Sequence, residues 1–131
     1  MKTKLAIFSA FLLSTSSFAY AKDLAEEKDI KCFALYDVAT YFHNVIGEDY
    51  NKYPWMMKIF AVHSSMEKRV NEKYVAKMGV EQGTVKAAFV RAKKSYLANR
   101  LSPILTTGSE EDQRVNGMKR LKVDIDALSC K

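Results

Sequence analysis

Apolar residues recur along this chain at spacings of three and four, in four stretches separated by glycine, proline and short polar links. That is the pattern of amphipathic helices. The first stretch runs from about Asp23 to Ile46 and is closed by Gly47, the residue best able to take the left-handed turn after a helix. Leu35, Val38, Ala39, Phe42, Val45 and Ile46 share its core face, with Asp37, Thr40 and Asn44 opposite and Cys32 on the flank. After a polar link from Gly47 to Tyr53, Pro54 opens a second helix, because a first turn has no use for the amide hydrogen that proline lacks. This helix reaches about Met78 and stops at Gly79, with Met56, Ile59, Phe60, Met66, Val70, Tyr74 and Met78 as its apolar stripe. Its opposite side carries Lys58, Ser65, Lys68, Arg69 and Glu72.

Thr84 reads as the N-cap of a third helix that extends to about Leu101, where Pro103 ends it. Its pattern has two faces. Val85, Ala88, Phe89, Ala92 and Tyr96 make one stripe, while Val90, Leu97 and Leu101 fall nearly opposite, so the helix either packs on two neighbours or offers a contact surface. Ser109, followed by Glu110, Glu111 and Asp112, caps a fourth helix and sets acids against the positive end of its dipole. Met118, Leu121, Ile125 and Leu128 line its core face, and Cys130 ends it. Strand signals and internal repeats are absent from the sequence. The expectation is an all-α protein, a small antiparallel four-helix bundle with its first and last helices side by side.

The head of the chain changes this picture. Lys2 and Lys4, an apolar run from Leu5 to Leu13 and the triplet Ala19-Tyr20-Ala21 have the layout of a cleaved signal peptide, with the cut before Lys22. A run of nine residues, all apolar but Ser9, is too short to cross a bilayer, which takes about 20, so no transmembrane segment is expected. Residues 1–21 are thus read as the signal and 22–131 as a single helical domain, large enough for one core. Export also gives the two cysteines a role. In an oxidising compartment, periplasmic or secreted, Cys32 and Cys130 are expected to form one disulfide that staples the first helix to the last. On the chain-entropy model a loop of that size stabilises by at most about 4 to 5 kcal/mol.

The formal charge of +6 falls to +4 once Lys2 and Lys4 leave with the signal. That is a mild preference for anionic surfaces, and outside the cytoplasm nucleic acid is not an expected partner. Basic residues concentrate on the third helix as Lys86, Arg91, Lys93, Lys94 and Arg100, with no acid between Thr84 and Pro103. Lys86, Lys93 and Arg100 recur every seven residues in one line, which is either a solvated face or a docking strip for the phosphates of the cell envelope or for an acidic partner protein, the version that Leu97 and Leu101 beside the line favour. Tyr50, Tyr53 and Trp55 form either a hydrophobic staple over the end of the bundle or a recognition patch.

Catalytic chemistry finds little footing. Cysteine catalysis needs a free thiolate, the serine elbow Gly-x-Ser-x-Gly does not occur, and Glu48 and Asp49 are sequence neighbours that point apart. His63, in the middle of the second apolar stripe, is read as a core-edge histidine, with a haem or metal ligand completed by His43 or a methionine as the weaker alternative. Met56, Met57, Met66 and Met78 are read as packing residues and not as a copper site. No cofactor is expected. The functional expectation is a non-enzymatic binding protein of the envelope or exterior, working by protein–protein contact with another, acidic, envelope or secreted protein. An inhibitor or immunity-type protein is one form of this by analogy. A small-ligand or haem carrier using the bundle interior, and an envelope-stress chaperone, are the alternatives.

Overall fold

The structure, a computed structural model, describes residues 20–46 and 52–130. The described chain is almost wholly helical and has no strand. Four rods make the bundle, and the first, α1 (Lys28–Ile46), packs against all three others. Periodicity alone places the start of this helix near Asp23. Instead, residues 20–24 form a separate turn of helix and the chain tightens before Lys28, with the Glu26 amide donating to the Asp23 carbonyl and that of Glu27 to Leu24. Leu24 and Ala25, at the break, are buried in the interior beside Ile30, Val70 and Tyr74. Of the predicted signal peptide, residues 1–19 lie outside the described residues, as does Gly47.

The second rod starts with a 3-10 turn at Pro54–Lys58, continues as α2 (Ile59–Val70) and finishes as a π-helical segment at Asn71–Lys77. Gly79, at φ +72°, stops it as expected. Met56, Ile59, Met66, Val70 and Tyr74 are buried, but two members of the predicted stripe are not: Phe60 is 48% and Met78 53% exposed. Met78 misses the core because its amide bonds back five residues to Lys73, and this wider turn shifts the helical register at the end of the rod. Phe60 sits on the flank of Ile59, where its ring meets His43 edge-on at 4.6 Å between centroids.

The third rod consists of α3 (Gln82–Tyr96), a π-helical segment at Leu97–Leu101 and a short α4 (Ser102–Leu105). Thr84 does not cap it. The helix begins two residues earlier after Glu81, whose carbonyl accepts from the Thr84 and Val85 amides. Nor does Pro103 end it: proline lies in the first turn of α4, where its missing donor costs nothing. The π segment also resolves the two-faced pattern. At the ordinary helical angle Leu101 falls about 160° from Val85, and a turn closed by five-residue hydrogen bonds absorbs one extra residue and swings Leu101 back inward. Leu101 is fully buried and Leu97 packs partly buried beside it, while Val90 stays exposed.

The fourth rod, α5 (Glu110–Ala127), opens with the expected cap, as a full capping box. The Asp112 amide donates to Ser109 Oγ at 3.1 Å and the Ser109 amide to Asp112 Oδ2 at 3.3 Å. Met118, Leu121 and Ile125 are buried, and Leu128 packs partly buried against the same cluster. Gly117 permits the closest approach, since a Cβ there would lie 2.9 Å from the Phe42 ring. Beyond α5, Cys130 joins Cys32 near the start of α1, with Cα atoms 5.6 Å apart. First and last rods are therefore clasped side by side.

The interior divides into two apolar clusters along α1. Leu35, Val38, Ala39 and Phe42 meet Met56, Ile59, Leu101, Met118, Leu121 and Ile125 in one. Ile30 joins Leu24, Ala25, Val70, Tyr74, Val80, Val85 and Ala88 in the other. Among the described residues no helix is long and apolar enough to cross a membrane.

Candidate functional site

Because α3 and α5 both lean on α1 while the third and fourth rods meet mainly further along, through the Leu97–Leu101 turn and α4, an open groove of about 770 Å³ runs between α3 and α5. Its size falls in the range of small-ligand and peptide sites, about 300 to 1,000 Å³. Ala34 and Leu35 of α1, Ala92 of α3, Leu128 and Ala25 form the apolar part of the lining. Lys31, Arg91 and Lys94 form a basic rim. Lys31 is held 2.9 Å from Glu26, and that hydrogen bond, with the Lys31 charge and a weaker pull from Arg91, keeps the Glu26 carboxyl below its ordinary pKa. Arg91 and Lys94 are exposed and make no salt bridge among the described residues.

A buttress between α3 and α5 forms part of the lining. Tyr96 Oη donates to Asp124 Oδ2 at 2.9 Å, while Arg100 forks onto the same carboxylate, Nε to Oδ2 at 3.2 Å and Nη2 to Oδ1 at 2.7 Å. Burial pushes the Asp124 carboxyl up, but the hydrogen bonds from Arg100 and Tyr96 and the Arg100 charge outweigh it and hold the pKa low. Burial first, and the Asp124 carboxylate second, drive the Tyr96 phenol well above its ordinary value. The pairing fixes the protonation state of all three groups near neutrality and ties α3 to α5.

On the other side of α3 a second polar cluster ties three rods together. Asp37 of α1 accepts from His63 Nε2 of α2 at 2.9 Å and from Lys93 Nζ of α3 at 2.7 Å. Phe33 stacks on Phe89 at 4.5 Å and lies 5.2 Å from the His63 ring, so the cluster has an aromatic backing. His63 therefore sits at the edge of the core with a carboxylate partner. His43 instead lies against Phe60, away from that cluster. Among the described residues no group of three or more histidine, cysteine or carboxylate side chains is placed to hold a metal ion.

The structure sorts the residues singled out in the sequence. Lys86, Lys93 and Arg100 do not act as one line: Lys86 is exposed, Lys93 is bound to Asp37 and Arg100 to Asp124. Lys94 lines the groove with Arg91, and Leu97 belongs to the core. Tyr53 and Trp55 pack partly buried against the first apolar cluster, with the Lys122 ammonium 5.7 Å from the Trp55 ring centre, an arrangement of the staple kind. Tyr50, Glu48 and Asp49 lie outside the described residues. Sequence reasoning missed Asp37, Asp124 and Tyr96 as organising groups. A signal for the two acids existed: a helix with five cations and no acid needs carboxylates from its neighbours, and Asp124 stands between Leu121 and Leu128 at the edge of an inward face. In comparisons with known proteins the chain matches no family model, no curated protein and no solved structure.

Proposed function

We propose that this chain is a non-catalytic binding protein, exported to the periplasm or the exterior, that holds an acidic partner protein of the same compartment in the groove between α1, α3 and α5. One observation carries the reading: exposed cations, Arg91 and Lys94, border an apolar cleft and form no salt bridge with a carboxylate among the described residues. Unanswered charge beside apolar surface is what an interface uses to steer and orient a partner of opposite sign. Export is supported by the Cys32–Cys130 bridge and by the signal-like head of the chain. Lys93 and Arg100 contribute differently, bracing the helices that form the walls.

The test is capture from the extract of the compartment with three forms of the purified protein. Arg91→Glu with Lys94→Glu is expected to lose the partner without a change in melting temperature. Lys86→Glu, outside the groove, is expected to keep it, as the parent protein does. Equal capture by all three forms would overturn the groove as the contact surface.

A further inference from the structure

Resting on the reading of the groove as a partner site, we propose that its occupant is an acidic amphipathic helix of the partner, laid against α1 as a fifth rod of the bundle. The walls decide the form of the occupant. Most of the lining lies on α1, α3, the Leu97–Leu101 segment and α5, whose main-chain groups are largely spent inside the helices, with only Ala25, Glu26 and Leu128 in flanking turns, and no strand edge exists among the described residues. An extended peptide pressed onto Ala34, Leu35, Ala92 and Leu128 would bury its own amides and carbonyls with nothing to pair them. A helix pairs its own main chain and presents only side chains. It is the form of peptide that such a surface accepts.

Side-chain size points the same way. Three of the rods and the leading turn contribute alanine to the lining, at Ala25, Ala34, Ala92 and Ala127. Short side chains let a neighbouring helix axis approach to the packed distance of about 8 to 10 Å. The occupant would place apolar residues at spacings of three, four and seven over the half-buried Ala92 and Leu128, with the buried Ala34 and Leu35 as the floor beneath. The positions of the occupant that face α3 would carry acids, because Arg91 and Lys94, three residues apart, stand on one edge of that helix, whereas Lys31 on α1 is already paired with Glu26. The charges of Asp124 and Arg100 already satisfy one another, so the acids of the occupant belong beside Arg91 and Lys94.

The experiment uses the whole mature protein and a hydrocarbon-stapled peptide of about 15 residues, with leucine and alanine on one face and glutamate on both flanks. Titration calorimetry and amide NMR shifts are the readouts. Binding is expected with shifts centred on Ala34, Leu35, Ala92 and Leu128, weakened about tenfold by Arg91→Glu with Lys94→Glu at unchanged melting temperature. The same peptide with a central proline and no staple is expected not to bind, nor is its lysine-for-glutamate counterpart. Equal binding of the proline peptide, shifts outside the groove, displacement of the peptide by dodecanoate, or a dimer in sedimentation that uses the groove would each overturn the proposal. If the charge reversal abolishes capture of the natural partner while the helical peptide fails to bind, the partner site stands and the helix falls. If the peptide binds and capture ignores the charge reversal, the partner reading falls instead.

Discussion

Asp124 shows how one side chain can hold two rods together. Its carboxylate accepts from Tyr96 and Arg100 and its pKa is lowered, so it is more readily ionised in the folded chain than in the unfolded one. A carboxyl with a lowered folded pKa contributes stability in full above its unfolded value of about 4 and loses it as the pH falls through the folded value. Asp124→Asn is therefore expected to cost about 1 kcal/mol at neutral pH, by urea denaturation. The gap to the parent protein should narrow as the pH is taken from about 5 toward about 2, and a gap independent of pH would argue against the ionised buttress. Trp55 is a second single-residue case. Half-buried against the first apolar cluster and topped by Lys122, it should cost about 2 kcal/mol when changed to alanine, seen as a lower melting temperature. An unchanged melting temperature would free Trp55 for recognition. The carboxylates and Trp55 differ in legibility for a physical reason. An aromatic next to a helix-starting proline has a local meaning, whereas Asp37 and Asp124 gain theirs from rods 26 to 56 and 24 to 28 residues distant.

At the scale of elements, what the sequence disclosed was what neighbouring residues decide among themselves. The Ser109 capping box, Pro54 in a first turn and Gly79 at a helix end are each settled within four residues, and each is found where the pattern places it. Thr84 and Pro103 mislead because a cap residue inside a helix and a proline in a new first turn look, in sequence, like a start and a stop. The π-helical segments at Asn71–Lys77 and Leu97–Leu101 leave no punctuation at all. They change the period without changing the composition, and so turn Met78 outward and Leu101 inward against a regular count. This has a direct test in the second segment. Deleting the exposed Ala98 removes the extra residue, restores ordinary helical spacing and leaves both Val85 and Leu101 facing the interior. The deletion is expected to fold with unchanged helical circular dichroism and to shift stability by no more than about 1 to 2 kcal/mol. Inserting an alanine after Val90 adds a second extra residue, turns the remainder of the rod by about 100° and should unfold it.

Across the whole molecule the all-α bundle was legible because helical periodicity and two cysteines agree on which rods adjoin. The groove was not. Nothing in a linear pattern tells that α3 and α5 leave a gap above α1, since the gap is set by where the Leu97–Leu101 turn and α4 bring the third and fourth rods together. The clasp between Cys32 and Cys130 also makes most of the bundle a closed covalent ring: every link between rods lies inside the 98-residue span it encloses. A protease that cuts once, for instance at the link between α4 and α5, opens the ring without releasing a piece. Such a nicked protein is expected to run as one band on a non-reducing gel and as two after reduction, and to keep its rods together long enough to refold. The bridge is then less a brace than insurance against a single scission.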